Sequence, residues 1–251
     1  MRSGTTVVLT RPQDQARALA CKIEAAGGQA IYFPALEILA RAPAPDAVEQ
    51  LAAADIAIFI SANAVEYGLR AMGGNLPSSL KLAAIGSATA QALAQRGFQP
   101  NIVPAQGADS EALLETAALH DVAGKQIVIF RGVGGRETLR ATLCQRGAKV
   151  AYIECYTRQR PDIAPGRVAE LIDRNDIAAI HVLSRETLEN FCHIVGSQGQ
   201  QRFRQTALFV PHHAVREAAW ILGFSDVVVA GFGDDGFLTA LQQRFAEAQP
   251  S

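Results

Sequence analysis

Excess charge of either sign is what this 251-residue chain most clearly lacks: 23 Lys and Arg stand against 24 Asp and Glu, for a formal net charge of −1 and a pI near 6.5. That balance argues against a nucleic-acid surface, since such surfaces need a basic stripe or patch. Long apolar runs are missing too. None approaches the roughly 20 residues that a bilayer span requires, so no membrane partner is expected. The opening residues, MRSGTTVVLTRP, have neither the apolar core nor the cleavage site of a secretory signal. The expectation is a soluble, cytoplasmic protein. Cysteine is sparse: Cys21, Cys144, Cys155 and Cys192 form no CxxC or other metal-ligand spacing. All four read as structural thiols in a reducing compartment, with Cys21 and Cys144 expected as small core residues inside amphipathic helices. The five histidines show no helical metal spacing with an acidic neighbour, and no Ser-His-Asp set has a recognisable nucleophile context.

What is present is alternation, and it is clearest over residues 127–156. The apolar run Ile127-Val128-Ile129-Phe130 reads as a buried strand and breaks at the loop Arg131-Gly132-Val133-Gly134-Gly135. Leu139, Leu143 and Cys144 then recur at helical spacing, Gly147 closes the helix, and residues 149–153 form another strand. This is a βαβ unit with an anion-friendly turn. A similar unit opens the chain. Val7-Val8-Leu9-Thr10 is followed by Arg11-Pro12, a helix carrying Ala16, Leu19, Ala20 and Ile23, and a stop at Gly27-Gly28. Arg131 stands 120 residues after Arg11, and Gly147 stands 120 after Gly27. Further on, residues 177–183 repeat 55–60, with Ser184 in the place of Ser61, and residues 207–210 repeat 83–85. Two half-chains of one α/β design follow. Such alternation implies parallel sheets with helices on both faces.

Ligands of open α/β sheets sit beyond the carboxyl ends of the strands. The residues there are Thr10 and Arg11, Ser61 and Ala62, the turn Gly86-Ser87-Ala88-Thr89, Arg131 and Gly132, Ser184, and the turn containing His212 and His213. Small hydroxyls, glycines and arginines suit carboxylates or phosphates at helix N-termini. Ser and Thr are also the expected helix caps, and that reading stays open for each of them. The glycine loop is not GxGxxG in the dinucleotide register and lacks the P-loop lysine, so neither NAD nor ATP is expected. Arg136 and Arg140, spaced as one helix face, are either solvated arginines or partners of an acidic ligand. His181 reads as a satisfied core residue. Tyr156 follows the last strand of the βαβ unit and precedes Arg158-Gln159-Arg160-Pro161. It is a candidate proton or hydrogen-bond donor, or else a packing tyrosine with a wet hydroxyl.

An ordered series of short motifs now adds up. It comprises Leu9-Thr10-Arg11-Pro12, Phe59-Ile60-Ser61-Ala62-Asn63, Ala84-Ile85-Gly86-Ser87-Ala88-Thr89, Phe130-Arg131-Gly132, Gly135-Arg136, Glu154-Cys155-Tyr156 and Leu183-Ser184. In this series the chain resembles the uroporphyrinogen-III synthases over nearly its whole length. The resemblance implies two Rossmann- or flavodoxin-like α/β domains with parallel sheets, joined by a two-stranded linker ladder made by residues 36–39 and 153–157, with the active site between them. Carried over, one domain is 1–35 plus 162–251 and the other is 36–160. The residues alone do not separate this from two contiguous halves. The implied reaction removes water from hydroxymethylbilane, inverts ring D through a spiro intermediate and closes the macrocycle, with no cofactor and no metal. The family's tyrosine falls on Tyr156 as the catalytic candidate. Its threonine falls on Thr89 and its strand-end serines on Ser61 and Ser184. Substrate binding is expected at Thr10, Arg11, Ser61, Ala62, Gly86, Ser87, Thr89, Arg131, Gly132, Arg136, Ser184 and His212. The turn Val210-Pro211-His212-His213 departs from the family's pattern by lacking a threonine. A monomer is the expected state. The competing reading is a non-enzymatic two-domain protein that binds a carboxylated small molecule, since no strong catalytic constellation stands alone in the sequence.

Overall fold

The computed structural model describes residues 4–231 and 233–246. The outer ends of the expected discontinuous domain, residues 1–3 and 247–251, lie outside the described residues. By internal packing the chain divides into two units, 1–37 with 159–251 and 38–158.

The first unit opens with β1 (Thr6–Leu9), α1 (Gln13–Ala25) and β2 (Gln29–Tyr32). Gly27, at φ 85°, makes the turn that brings the chain back beside β1. The second unit follows without interruption: β3 (Glu37–Ala40), α2 (Ala47–Ala52), β4 (Ile56–Phe59), α3 (Ala62–Ala71), β5 (Lys81–Ala84), α4 (Ser87–Gln95), α5 (Ser110–Leu114), β6 (Gln126–Gly132), α6 (Thr138–Gln145) and β7 (Lys149–Gln159). The chain then completes the first unit with α7 (Pro165–Asp173), β8 (Ile177–His181), α8 (Arg185–Phe203), β9 (Ala207–Val210), α9 (His213–Ile221), β10 (Val227–Val229) and α10 (Asp234–Ala246).

Each unit holds one five-stranded sheet, in the order β10-β9-β8-β1-β2 and β3-β7-β6-β4-β5. In the first, β1 runs parallel to β2 and β8, and β9 runs parallel to β8 and β10. In the second, β4 runs parallel to β5 and β6, and β6 to β7. β3 lies outside β7, and the Arg41 amide donates to the Cys155 carbonyl at 2.9 Å. Reading β2-β1-β8-β9 beside β7-β6-β4-β5 shows the internal repeat as geometry: the strands that match in sequence occupy matching places.

Why these strands read as unbroken apolar runs is visible in the cores. Alternate side chains of a strand point to opposite faces. In the second unit Ala57, Phe59, Val128 and Phe130 join one core, while Ile56, Ile58, Ile127 and Ile129 join the other. The first unit does the same, with Val8, Ile180 and Leu208 on one side and Val7, Leu9, Ala179 and Phe209 on the other. Helices cover both faces, so there is no polar side for a strand to show.

Several expectations need correction. Cys21 and Cys144 are exposed. Each follows a buried neighbour, Ala20 and Leu143, and one residue is about 100° of helix rotation, enough to turn the thiol outward. Helix α5, capped by Asp109, stops at Leu114, and the chain resumes as a 3-10 turn at Ala117–Leu119, because Thr116 is extended and its hydroxyl donates to the Leu113 carbonyl at 2.7 Å. Ile102, in the apolar stretch 101–103, makes only a single bridge, to Ala83. Pro104, with no N–H to give, ends the pairing there. Arg136 precedes α6, so it shares no helical face with Arg140.

The strand expected to end at 153 instead runs on to Gln159, which puts Tyr156 inside β7. The register slips there: Arg131 pairs with Glu154 but Gly132 pairs with Tyr156, leaving Cys155 as an extra residue. This is a β-bulge, and bulges re-aim the side chains beside them.

Helix α3 lies against this sheet at Gly68. A Cβ there would sit 2.6 Å from Cδ1 of Phe130, whose ring is stacked flat on Phe59 with centroids 4.5 Å apart. Glycine inside a helix normally costs about 1 kcal/mol against alanine. Here the cost of an overpacked core, about 1–3 kcal/mol, outweighs that gain. Gly68→Ala is therefore expected to destabilise the protein, read as a lower midpoint in urea unfolding. A raised midpoint would show that Phe130 yields.

Candidate functional site

In the second unit the strand ends converge. After β4 the backbone at Ser61 is extended, with φ −169° and ψ 165°, and its Oγ caps α3 by accepting from the Ala64 amide at 3.0 Å. The same Oγ lies 3.1 Å from the hydroxyl of Tyr156. Tyr156 is nearly buried, at 4 % exposure, and its ring centroid stands 5.6 Å from that of Tyr67. Gly132 makes this possible. A Cβ at that position would fall 2.6 Å from Cε2 of the Tyr156 ring, so only glycine leaves the ring its place. The bulge at Cys155 and the glycine opposite are two halves of one adaptation. Burial pushes the Cys155 thiol up to about 12, which keeps it protonated and inert.

A cavity of ≈ 400 Å³ opens over the carboxyl ends of these strands. Ile60, Ile85, Arg131, Gly132 and Tyr156 line it from the sheet, and Arg136, Arg158 and the Asp109–Ser110 turn from the rim. Three guanidinium groups around one apolar-floored cavity suit a ligand with carboxylates on a hydrophobic body. They are not equally available. Arg136 is solvent-exposed, with Glu111 at 3.6 Å. Arg131 is almost wholly buried and committed: Nε donates to the Gly132 carbonyl at 3.2 Å, Nη2 to the Gly134 carbonyl, and Nη1 to Glu137 Oε1 at 3.0 Å. It shapes the glycine loop before it can serve a ligand.

The other residues expected here are placed nearby but outside the cavity wall. Ala62 and Ser87 are exposed first residues of α3 and α4. Gly86 occupies the N-cap of α4, where a Cβ would meet that of Ala108 at 2.6 Å. Thr89 is 3 % exposed on the inner side of α4.

In the first unit the matching strand ends carry Thr10, Arg11, Ser184 and His212. Thr10 has no exposed surface, and its hydroxyl donates to the His181 carbonyl at 2.7 Å. Arg11 pairs with Asp234 at 2.9 Å and lies 3.4 Å from His181 Nδ1, while its Nε is buried with no hydrogen-bond partner among the described residues. Ser184 caps α8 through the Thr187 amide at 3.1 Å. His212 holds the N-cap position of α9 with extended backbone. Among the described residues no group of three His, Cys, Asp or Glu could hold a metal ion.

Two contributors to the site escaped the sequence reading. Tyr152 lies on β7, with the Arg131 guanidinium 4.3 Å from its ring centroid, and its hydroxyl donates to Glu137 Oε2 at 2.8 Å. Burial and that hydrogen bond push the Tyr152 phenol up to about 12. The Tyr152 hydroxyl, then Arg131, hold the Glu137 carboxyl below its usual range. Alternation along β7 is the only sequence signal for Tyr152, and nothing in the pattern singles out Glu137.

His181 gives a pH signature. Burial, then the positive charge of Arg11, push its imidazole from 6.5 down to about 3. Its folded form therefore resists a proton that the unfolded chain accepts below 6.5. Stability is full above pH 6.5 and is lost as the pH falls towards 3. His181→Gln, which keeps an acceptor for Arg11 and cannot titrate, is expected to flatten this part of the profile, measured by urea unfolding at pH 7 and pH 4.5. An unaltered slope would place the dependence elsewhere.

Comparison with known proteins shows the family and the fold. The family model described as uroporphyrinogen-III synthase HemD matches residues 17–236. The chain is 32% identical over 246 residues to the uroporphyrinogen-III synthase of Salmonella typhimurium, covering 94% of this chain and 100% of that one. It is 30% identical over 245 residues to that of Escherichia coli, with the same coverage. Among solved structures, uroporphyrinogen-III synthetase from Helicobacter pylori aligns at TM-score 0.64 and 14% identity, over 97% of this chain and 99% of that one. A mutant uroporphyrinogen III synthase from Thermus thermophilus aligns at TM-score 0.60 and 19% identity, over 96% and 100%. At those identities the structural likeness speaks to the fold.

Proposed function

The chain belongs to the uroporphyrinogen-III synthase HemD family, and from that premise we propose that it cyclises hydroxymethylbilane to uroporphyrinogen III, with loss of water and inversion of ring D. The observation that carries the reading is the part-buried Tyr156–Ser61 hydroxyl pair, 3.1 Å apart, whose tyrosine also lines a cavity rimmed by arginines.

The chemistry asks for two things. A flexible linear tetrapyrrole has to be held in a folded reactive shape, which is a matter of positioning. Carboxylates of the substrate would pair with Arg136 and Arg158 at the rim and with the backbone N–H groups at the starts of α3 and α4. The departing hydroxyl also needs a proton, because hydroxide is a poor leaving group. Tyr156 donates it, so that the carbon–oxygen bond breaks with release of water. Ser61 accepts from the Ala64 amide and so offers the phenol a fixed partner. The proton lost later, when the rearranged ring regains its aromatic system, returns the tyrosine to its starting state. The reading needs no cofactor, and the enzyme class that follows is a hydro-lyase.

Incubation with freshly prepared hydroxymethylbilane is expected to give the type III isomer. Only the spontaneous type I product would overturn the assignment, and bilane bound tightly without change would establish the non-enzymatic binding protein instead. Tyr156→Phe is expected to lower turnover about tenfold or more, the scale of general-acid effects. Full turnover in that variant would leave the phenol a packing role.

A further inference from the structure

The cavity wall at residues 132–135 has no anchoring side chain of its own. Val133 is exposed, and Gly134 and Gly135 both take positive φ, 75° and 106°, conformations that glycine adopts freely and that bring little rigidity. It is tied in two ways: the Val133 amide donates to the Tyr156 carbonyl at 2.9 Å, and Arg131 donates to the carbonyls of Gly132 and Gly134. The approach is so close that a Cβ on Gly135 would lie 2.9 Å from Arg131 Nη2. The opposite side of the same loop abuts the ring of Tyr156 through Gly132. The backbone bond holds the start of the loop beside the tyrosine, and the arginine holds Gly134 and Gly135 beyond it.

Arg131 is itself held by Glu137, which lies outside the cavity wall, and by Tyr152, which lines it. Glu137 stands at the N-cap of α6 but does not cap it. Its two carboxylate oxygens go to Arg131 Nη1 at 3.0 Å and to the Tyr152 hydroxyl at 2.8 Å. The Tyr152 ring supports the guanidinium face, 4.3 Å from centroid to carbon. Although Glu137 is largely exposed, both of its oxygens are engaged in charge-assisted bonds. The three groups come from the end of β6, the start of α6 and the middle of β7, so the brace ties three elements to one loop.

We propose that Glu137 and Tyr152 are positioning residues: they aim Arg131, Arg131 sets the 132–135 loop, and the loop fixes the cavity wall against Tyr156. The link to turnover rests on the reading of this cavity as the place where the substrate reacts. The brace itself does not.

The test has two arms. In hydrogen exchange, the Val133 amide, which donates to the Tyr156 carbonyl, is expected to lose protection about tenfold in Glu137→Ala and in Tyr152→Phe, with the amides of residues 127–131 unaffected. In kinetics per folded protein, both variants are expected to lower kcat about tenfold, the scale of a small misplacement of reacting groups, with KM held within about twofold. Glu137→Gln, which keeps one acceptor, is expected to recover part of both losses. Tyr152→Phe keeps the ring and removes only the hydroxyl, so it remains informative if Glu137→Ala fails to fold. Unchanged loop exchange in both variants overturns the brace. Loosened exchange with unchanged kcat, or with the whole loss in KM, overturns the positioning role. If the unaltered protein makes no type III product, the reaction assignment falls, and the exchange arm still decides the brace.

Discussion

Gly132 and the aromatic ring of Tyr156 share a volume that admits no side chain at position 132, and much of the second unit is arranged around that contact. The ring fills the space where a Cβ would be, and the bulge at Cys155 brings Tyr156 opposite Gly132. Either feature alone would be a defect. A bulge without the glycine would drive an aromatic ring into a side chain. A glycine without the bulge would leave a void beside β6, in a core otherwise filled by Phe59, Phe130 and Ile153. Together they carry a phenol to within hydrogen-bonding distance of Ser61 at the next strand end. Close packing tolerates such a fit only where the neighbours are already fixed. The stacked phenylalanines and the glycine in α3 supply that fixity.

Electrostatics in the cavity follow from the same crowding. A buried arginine is costly unless its donors are satisfied. Arg131 meets that demand with carbonyls of its own loop and one carboxylate, so its charge is partly neutralised before any ligand arrives. On the proposed function, attraction for substrate carboxylates falls to the solvent-exposed Arg136 and Arg158, which line the rim. The inner cation would then serve shape and the outer ones capture. The first unit shows a related economy, with Arg11 held by Asp234 and His181.

The alternating elements were legible in the sequence for a physical reason: strands covered on both faces have no polar face to blur the apolar signal, and glycines mark the helix ends. The repeat was legible because matching strands keep matching places, as β1 and β6 do with Arg11 and Arg131 behind them. Ser61 and Ser184 were legible as strand-end hydroxyls, though both are helix caps as well. The bulge was not, since one extra residue inside an apolar strand leaves no mark on hydropathy. Nor was the inward commitment of Arg131, because a guanidinium reads the same whether it meets solvent or its own loop. Cys21 and Cys144 failed for a related reason. A neighbouring residue in sequence lies a quarter-turn or more away on a helix, and the apolar stripe is narrower than the run of apolar letters suggests.

The division of the chain has a bearing on how it folds. Residues 38–158 form one continuous segment, and its two ends lie on β3 and β7, adjacent strands of a single sheet. Residues 1–37 and 159–251 have to find each other across that whole segment before β1 can pair with β8. With the segment unfolded, that encounter closes a long loop, and the entropic cost grows with loop length. Once the segment is folded, its adjoining ends act as a short bridge and much of that cost is gone. Folding of the continuous unit thus shortens the loop that the split unit has to close, and damage to its sheet would raise that entropic cost.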